Sequence, residues 1–340
     1  MNRFGVACIS ALVCIALSGC GGGTDKLIVV YSPHGQPLEH DIKIRFEAAH
    51  PGYTVDFLDM PGAEIFTRVQ AEKAFPRASI WWGGSPGDFK KAEALGLLEP
   101  YAPDWTKDLP SDAKSPSGAW VATFRTPEVI MYNSKKVAAQ DVPQTWDGLL
   151  DPKWKGRIVI RDVRASSTMK TIFGALIMRE QKRTGKLEDG FEFLRKLNGN
   201  TGSYAANPQI MYDQLNGDTP QAITLWNLAD ALLRKSVGDP FEYVIPAETV
   251  VPVEPIAIIK GTSDPAGARL FHDFVNSPEQ LVLMAKERHR LPARTDLPKE
   301  QLPAWMNGLK IEPLKLDWTE FDKNVDEWIA RWDAEIKHQH

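Results

Sequence analysis

Cysteine is nearly missing from this chain: Cys8, Cys14 and Cys20 are the only three, and all lie in the first twenty residues. No disulfide can staple the rest, so its stability must come from an apolar core, which 340 residues with 43% hydrophobic content can supply once or twice over. Zinc-ligand patterns are absent too, with no C-x-x-C or H-E-x-x-H and with His34, His40 and His50 at unsuitable spacing. Excess charge of one sign is lacking, since 40 basic residues face 44 acidic ones in an interspersed order. That balance excludes nucleic acid and an anionic membrane surface as evident partners. The longest apolar run, Phe4 to Leu17, is shorter than the roughly 20 residues a membrane span needs. Internal repeats and long low-complexity segments are also missing.

That apolar run has another meaning. It follows Arg3 and ends in Leu17-Ser18-Gly19-Cys20, the layout of a lipoprotein export signal whose acceptor is Cys20. Residues 1–19 are therefore expected to be the signal, and residues 20–25, with Gly21-Gly22-Gly23-Thr24, a flexible tether behind the lipid anchor. The mature chain is expected on the periplasmic side of a bacterial membrane, with Cys20 as its only cysteine.

From Lys26 the pattern alternates β-branched runs with amphipathic stretches, which predicts an α/β fold. Strands are expected over Lys26 to Tyr31, Tyr53 to Leu58 and Ala78 to Trp82, with helices over Pro37 to Ala49, Gly62 to Ala71 and Asp88 to Leu97. Trp120 to Phe124 and Val129 to Tyr132 read as strands crossing between two lobes. A second α/β unit carries a strong helix from Met169 to Arg183, and strand Val253 to Ile259 returns to the first lobe. The piece from Pro100 to Pro116 reads as a surface excursion, and Pro265 to His340 as almost wholly helical. Lobe limits of 26–124, 125–253 and 254–340 follow, with C-terminal helices packing across the lobes.

Ligands of open α/β sheets bind beyond the carboxyl ends of strands, so the loops there carry the candidates. Gly83-Gly84-Ser85-Pro86-Gly87 matches the G-x-S-x-G elbow of serine hydrolases and sits between a strand and a helix. Pro86 has no N–H for the oxyanion hole that this motif builds after its serine, so a helix-opening loop facing a ligand is preferred to an exported hydrolase. Ser166-Ser167-Thr168 opens the strong helix just after Arg161 and Arg164, and free helix N–H groups, hydroxyls and guanidinium forks together suit an anion. Trp81 and Trp82 point to opposite faces of their strand, one toward the core and the other, like Trp226, toward a site or the core. His34 is the histidine placed nearest a ligand, and Glu254 opens the strand that returns through the cleft.

Several segments now resemble a known family: KLIVVYSPHG, SIWWGGSPGDFKKAEALGLLEPY, VATFRTPEVIMYNSKKV, and DPKWKGRIVIRD ahead of the Ser-Ser-Thr helix start. With the lipobox, they resemble the extracellular solute-binding proteins of ABC importers, in the ferric-iron, phosphonate and sugar-phosphate branch. The resemblance implies a two-lobed type 2 periplasmic-binding-protein fold that closes on its ligand, delivery to a permease driven by a separate ATPase, a monomer, no cofactor and no catalysis. The two consecutive tyrosines that hold iron in ferric relatives look like Asn227 and Leu228 here, and the third-strand loop lacks the expected carboxylate. The relatives' anion site carries over to Ser166, Ser167 and Thr168, with Asn207 as a further donor. The expected ligand is a small organic anion such as a phosphonate, sugar phosphate or carboxylate. Arg164 would add its guanidinium to that anion site, the remainder of the ligand would meet Ser32, His34, Gly84, Ser85, Arg125 and Trp226, and Glu254 would take an amine if the ligand is zwitterionic. A ferric receptor and a sensory subunit are the alternatives.

Overall fold

A computed structural model describes residues 26–339, so the expected export signal, Cys20 and the whole tether lie outside the described residues. Three strand-loop-helix units open the first lobe: β1 (Lys26–Ser32) and α1 (Gln36–Ala49), β2 (Tyr53–Asp59) and α2 (Gly62–Ala71), β3 (Ile80–Trp82) and α3 (Pro86–Ala94). A short β4 (Leu98–Glu99) and then β5 (Val121–Arg125) follow. The second lobe runs through β6 (Glu128–Asn133), β7 (Ile158–Arg161), α4 (Ser167–Thr184), α5 (Leu187–Asn200) and β8 (Thr201–Ala205). It continues with α6 (Pro208–Asn216), β9 (Ile223–Asn227), α7 (Leu228–Ser236) and β10 (Phe241–Val244). The chain returns to the first lobe as β11 (Val253–Ile259), α8 (Pro265–Val275), α9 (Pro278–Arg288) and β12 (Leu291–Pro292), and α10 (Trp318–Glu335) comes last.

Each lobe is one mixed sheet. The first has the order β12-β5-β11-β3-β1-β2, with β4 also on β11, and the second has β10-β6-β9-β7-β8. β1 is parallel to β2 and β3 and is buried between helices on both faces, so its run of Ile28, Val30 and Tyr31 shows no polar alternation. α1 covers it with Leu38, Ile42 and Phe46, a spacing of four that puts all three on one face. Two separate cores result: one gathers residues of β1 to β5, β11, α8 and α9, the other those of β6 to β10. α10 gives Phe321, Trp328, Ile329 and Trp332 to the second core, while Asp322 reaches back to Lys90 of α3 at 3.2 Å.

Three chain segments join the lobes. Between β5 and β6 the Thr126 N–H donates to the Pro252 carbonyl and the Glu128 N–H to that of Val250, both at 2.9 Å, so the outgoing and returning segments form one narrow ladder. The third segment, between β12 and α10, is tied to the second where the Thr249 N–H donates to Glu312 (3.1 Å) and the Leu314 N–H to Thr249 (2.8 Å). Two-stranded connections of this kind are where a two-lobed protein bends.

Several elements differ from expectation. β8, α7 and β10 are additional; β8 contains Gly202 and Ser203, poor strand formers that gain their place by pairing with β7. α3 begins at Pro86 rather than Asp88, because proline is tolerated in a first turn and Ser85 caps it. The C-terminal part is less helical than expected: residues 289–317 hold only β12 and two single 3-10 turns, interrupted by Pro292, Pro298, Pro303 and Pro313. Among the described residues no helix is long and apolar enough to cross a membrane.

Candidate functional site

A polar cleft of about 190 Å³ lies between the lobes, at the hinge. The first lobe lines it with Pro33 and His34 after β1, Gly84 and Ser85 after β3, Glu254 of β11 and Arg290 ahead of β12. The second lobe lines it with Ser167, Thr168 and Thr171 of α4, Asn227 at the end of β9 and Asp230 of α7. Pro86 at the start of α3, with Thr126, Glu128, Pro252 and Val253 where the chain crosses between the lobes, forms the rest. No phenylalanine, tyrosine or tryptophan lines it.

On the first-lobe side the polar groups are tied to one another. The His34 imidazole is packed at 4.5 Å between ring centres on Trp82, with Phe124 at its edge. Its Nε2 lies 2.8 Å from Glu254 Oε2 and its Nδ1 3.1 Å from the Ser32 hydroxyl. Burial, the largest influence, holds this imidazole below its ordinary pKa even against the pull of Glu254. A neutral ring donating from Nε2 to Glu254 and accepting at Nδ1 from Ser32 satisfies all three groups. Arg290 Nη1 approaches the Glu254 oxygens at 3.3 and 3.5 Å, and the Thr126 hydroxyl donates to the same carboxylate. Burial alone would push the Glu254 carboxyl up; Arg290, His34 and Thr126 outweigh it and bring it down to about 2.

Gly83 makes this arrangement possible. Its φ of +93° suits glycine, and a Cβ there would stand 2.4 Å from His34 Cε1. Trp81 holds the loop from below, its Nε1 donating to the Gly83 carbonyl at 2.9 Å.

On the second-lobe side three hydroxyls remain uncommitted. Ser166 caps α4 by accepting the Met169 N–H at 3.2 Å, whereas the side chains of Ser167, Thr168 and Thr171 face the cleft with no hydrogen bond to the described protein. The N-terminal turns of α3, α4 and α7 all meet the cleft, and each brings the positive end of a helix dipole. Asp230 is held by its own lobe, its Oδ2 accepting from Trp226 Nε1 and Asn227 Nδ2 at 3.0 Å each. Glu128 differs from both other carboxylates. Its side chain is 1% exposed and its Oε2 has no partner, and burial, then Glu254 and Asp230, push its pKa well above the ordinary range.

Of the residues expected from sequence, the structure brings His34, Gly84, Ser85, Ser167, Thr168 and Glu254 to the cleft, with Ser32 directly behind His34. It places five elsewhere. Arg125 forks onto Asp112 at 2.7 and 3.0 Å, and Arg164 leans away to Asp333 at 3.2 Å. Ser166 and Asn207 serve as helix caps, Asn207 accepting the Ile210 N–H at 2.9 Å. Trp226 is buried in the second core, where it orients Asp230, and Trp81 and Trp82 are both core residues. Ser85 Oγ accepts the Gly87 N–H at 3.1 Å as the cap of α3, the role of a helix-opening loop rather than of a nucleophile. Sequence reading missed Thr126, Glu128, Thr171, Asp230 and Arg290. The carboxylate heading the otherwise apolar EVIMYN strand was a signal for Glu128, and the Leu291-Pro292 break was one for Arg290.

Two mixed α/β sheets with separate cores, joined by crossing strands around a cleft, define a type 2 periplasmic-binding-protein fold. Residues 84–320 match the model of the bacterial extracellular solute-binding proteins, and the chain belongs to that family. It is 27% identical over 314 residues to the "Probable ABC transporter periplasmic-binding protein y4fP" of Sinorhizobium fredii, covering 91% of this chain and 86% of that one. AfuA from Actinobacillus pleuropneumoniae, solved with fructose-6-phosphate, matches at a TM-score of 0.75 with 24% identity over 92% of this chain and 99% of that one. Iron-bound HitA from Pseudomonas aeruginosa matches at 0.76 with 20% identity over 90% and 98%. At these identities the two structures share the fold, and their ligands are their own.

Proposed function

We propose that this protein is the receptor of an ABC importer, held by a lipid on Cys20 at the periplasmic side of a membrane, which captures a small organic anion and presents it to a permease. The anionic group, a phosphate, phosphonate or carboxylate, sits on the first turn of α4 and takes hydrogen bonds from Ser167, Thr168 and Thr171. The observation that carries this reading is the set of three unpartnered hydroxyls on a helix N-terminus that opens into an interlobe cleft. Opposite it, the N-terminal turn of α3 with Gly84 and Ser85 closes on the same group when the lobes approach. The protein binds and releases without turnover.

A ferric receptor is the less supported reading. By the family resemblance Asn227 and Leu228 take the place of the ferric relatives' tyrosine pair, Leu228 is buried, and among the described residues no three His, Cys, Asp or Glu side chains gather closely enough to hold a metal ion. The test is a thermal-shift screen with inorganic phosphate, ethyl phosphate, sugar phosphates, dicarboxylates and ferric citrate. A ligand at about 100 times its Kd adds about 2.7 kcal/mol of stability. A response to one anion class that is lost in Thr168→Val supports the reading; a response to ferric citrate alone overturns it.

A further inference from the structure

Glu128 is the one carboxyl group of the cleft with which no group of the described protein pairs. Glu254, the residue expected to meet an amine, already receives His34, Arg290 and Thr126. Asp230 accepts from Trp226 and Asn227. Glu128 lines the same cleft at the hinge, 99% withdrawn from solvent, with Oε2 unpaired, and leaving such an oxygen unsatisfied is costly. A bound cation would remove that cost.

We propose that Glu128 is the recognition point for a primary or secondary ammonium group, so that the solute is a short zwitterion with its anionic end on α4 and its nitrogen at the hinge. For the anionic end this rests on the function proposed above. The alternatives for the cation are narrowed by the surroundings. A metal ion would need a denser ligand set than the described residues provide. A quaternary ammonium calls for an aromatic cage, and no aromatic carbocycle lines the cleft. An N–H-bearing cation suits Glu128 with Asp230 alongside, the Asn227 amide oxygen being already engaged by the Asp230 N–H at 2.8 Å. The volume of about 190 Å³ holds a chain of only a few carbons between the two ends.

Pairing with an ammonium also requires Glu128 to ionise. Around it the charged or titratable groups are Glu254 and Arg290 of the first lobe, Asp230 of the second and the neutral His34, and burial with the two carboxylates raises the Glu128 pKa well above the ordinary carboxyl range while the cleft is empty. An ammonium beside Glu128 opposes that shift, so binding of a zwitterion favours transfer of a proton from Glu128 to the buffer.

Calorimetry with O-phosphoethanolamine, ethyl phosphate, ethylene glycol monophosphate and putrescine tests the assignment on wild type and Glu128→Gln. The expected result is that phosphoethanolamine binds at least 30-fold more tightly than both amine-free phosphates, and that Glu128→Gln reduces this preference to threefold or less without weakening ethyl phosphate. Repeating the titration in buffers of different ionisation enthalpy should give a larger proton release by wild type than by Glu128→Gln. Equal affinity for amine-bearing and amine-free phosphates in wild type overturns the proposal whatever the variant does, as does an amine preference that survives in Glu128→Gln. If no phosphate binds while putrescine does and is lost in the variant, the anion reading fails and the nitrogen site stands.

Discussion

Replacing Glu254 by glutamine should weaken the protein in a way that depends on pH. The carboxylate is 16% exposed and is held by Arg290, His34 and Thr126, which bring its pKa from the ordinary 4.5 to about 2. A lowered folded-state pKa means that the folded protein prefers the ionised form, so the stability it confers is present above pH 4.5 and fades as pH falls toward 2. Taken across that interval it amounts to about 3 kcal/mol at pH 7, of which about 1 kcal/mol remains at pH 3. Glutamine removes the charge and leaves Arg290 without its counter-ion, a loss of the size seen when one partner of a buried pair is deleted, about 3 to 5 kcal/mol. Urea unfolding followed by tryptophan fluorescence should therefore give Glu254→Gln a stability about 3 kcal/mol below wild type at pH 7, with the gap closing to about 1 kcal/mol at pH 3 and the urea slope unchanged. A gap of the same size at both pH values would refute the reasoning, because it would mean that Glu254 acts through packing and not through its charge.

Gly83→Ala should cost about 3 kcal/mol, from a left-handed backbone together with a Cβ driven into His34, and should release His34 from Glu254; a thermal melt and the imidazole resonances by NMR check both. Arg164→Ala should leave anion affinity within about twofold of wild type by calorimetry. Its side chain is 66% exposed and pairs with Asp333 outside the cleft, and such surface pairs contribute about 1 kcal/mol or less.

Much of the fold could be read from periodicity and punctuation. The run KLIVVY, the apolar face of Leu38, Ile42 and Phe46, and the N-terminal proline of α6 each state their element locally, so the α/β class and the crossing strands were accessible. β8 was not, because Gly202 and Ser203 have little strand preference and hold their place by pairing with β7; β10 carries strand formers in Phe241, Tyr243 and Val244, but its four residues are too few to show a period by themselves. The site divides in the same way. Positions that follow a strand or open a helix, such as His34, Ser85 and Thr168, were found because the position itself carries the signal. Arg125 and Arg164 misled because a guanidinium reaches far enough to choose its partner, and Asp112 and Asp333, distant in sequence, are that choice. Arg290 was missed for the converse reason: it arrives from a segment some 36 positions beyond Glu254, brought there by the pairing of β12 with β5.

The two walls of the cleft also differ in what their polar groups do before any ligand arrives, and that difference can be measured. His34, Glu254, Arg290 and Thr126 satisfy one another within the first lobe and the hinge, so they contribute to the stability of the empty protein. Ser167, Thr168 and Thr171 bond nothing within the described protein, so under the function proposed above their hydrogen-bonding capacity becomes stabilising only when an anion and the closing first lobe meet them. A ligand shifts a hinge equilibrium only through contacts that differ between the open and closed arrangements, and uncommitted donors on one wall supply such a difference. A hydrogen bond to a charged group contributes about 1.5 to 3 kcal/mol, so Thr168→Val should lower anion affinity by roughly 10- to 150-fold. Its empty form should unfold within about 0.5 kcal/mol of wild type, the range of surface changes that break no contact. Glu254→Gln should show the reverse weighting, with a large loss of stability at neutral pH before ligand is added. If Thr168→Val instead destabilises the empty protein by more than about 1 kcal/mol, or binds the anion as wild type does, the hydroxyls of α4 are structural and the anion sits elsewhere.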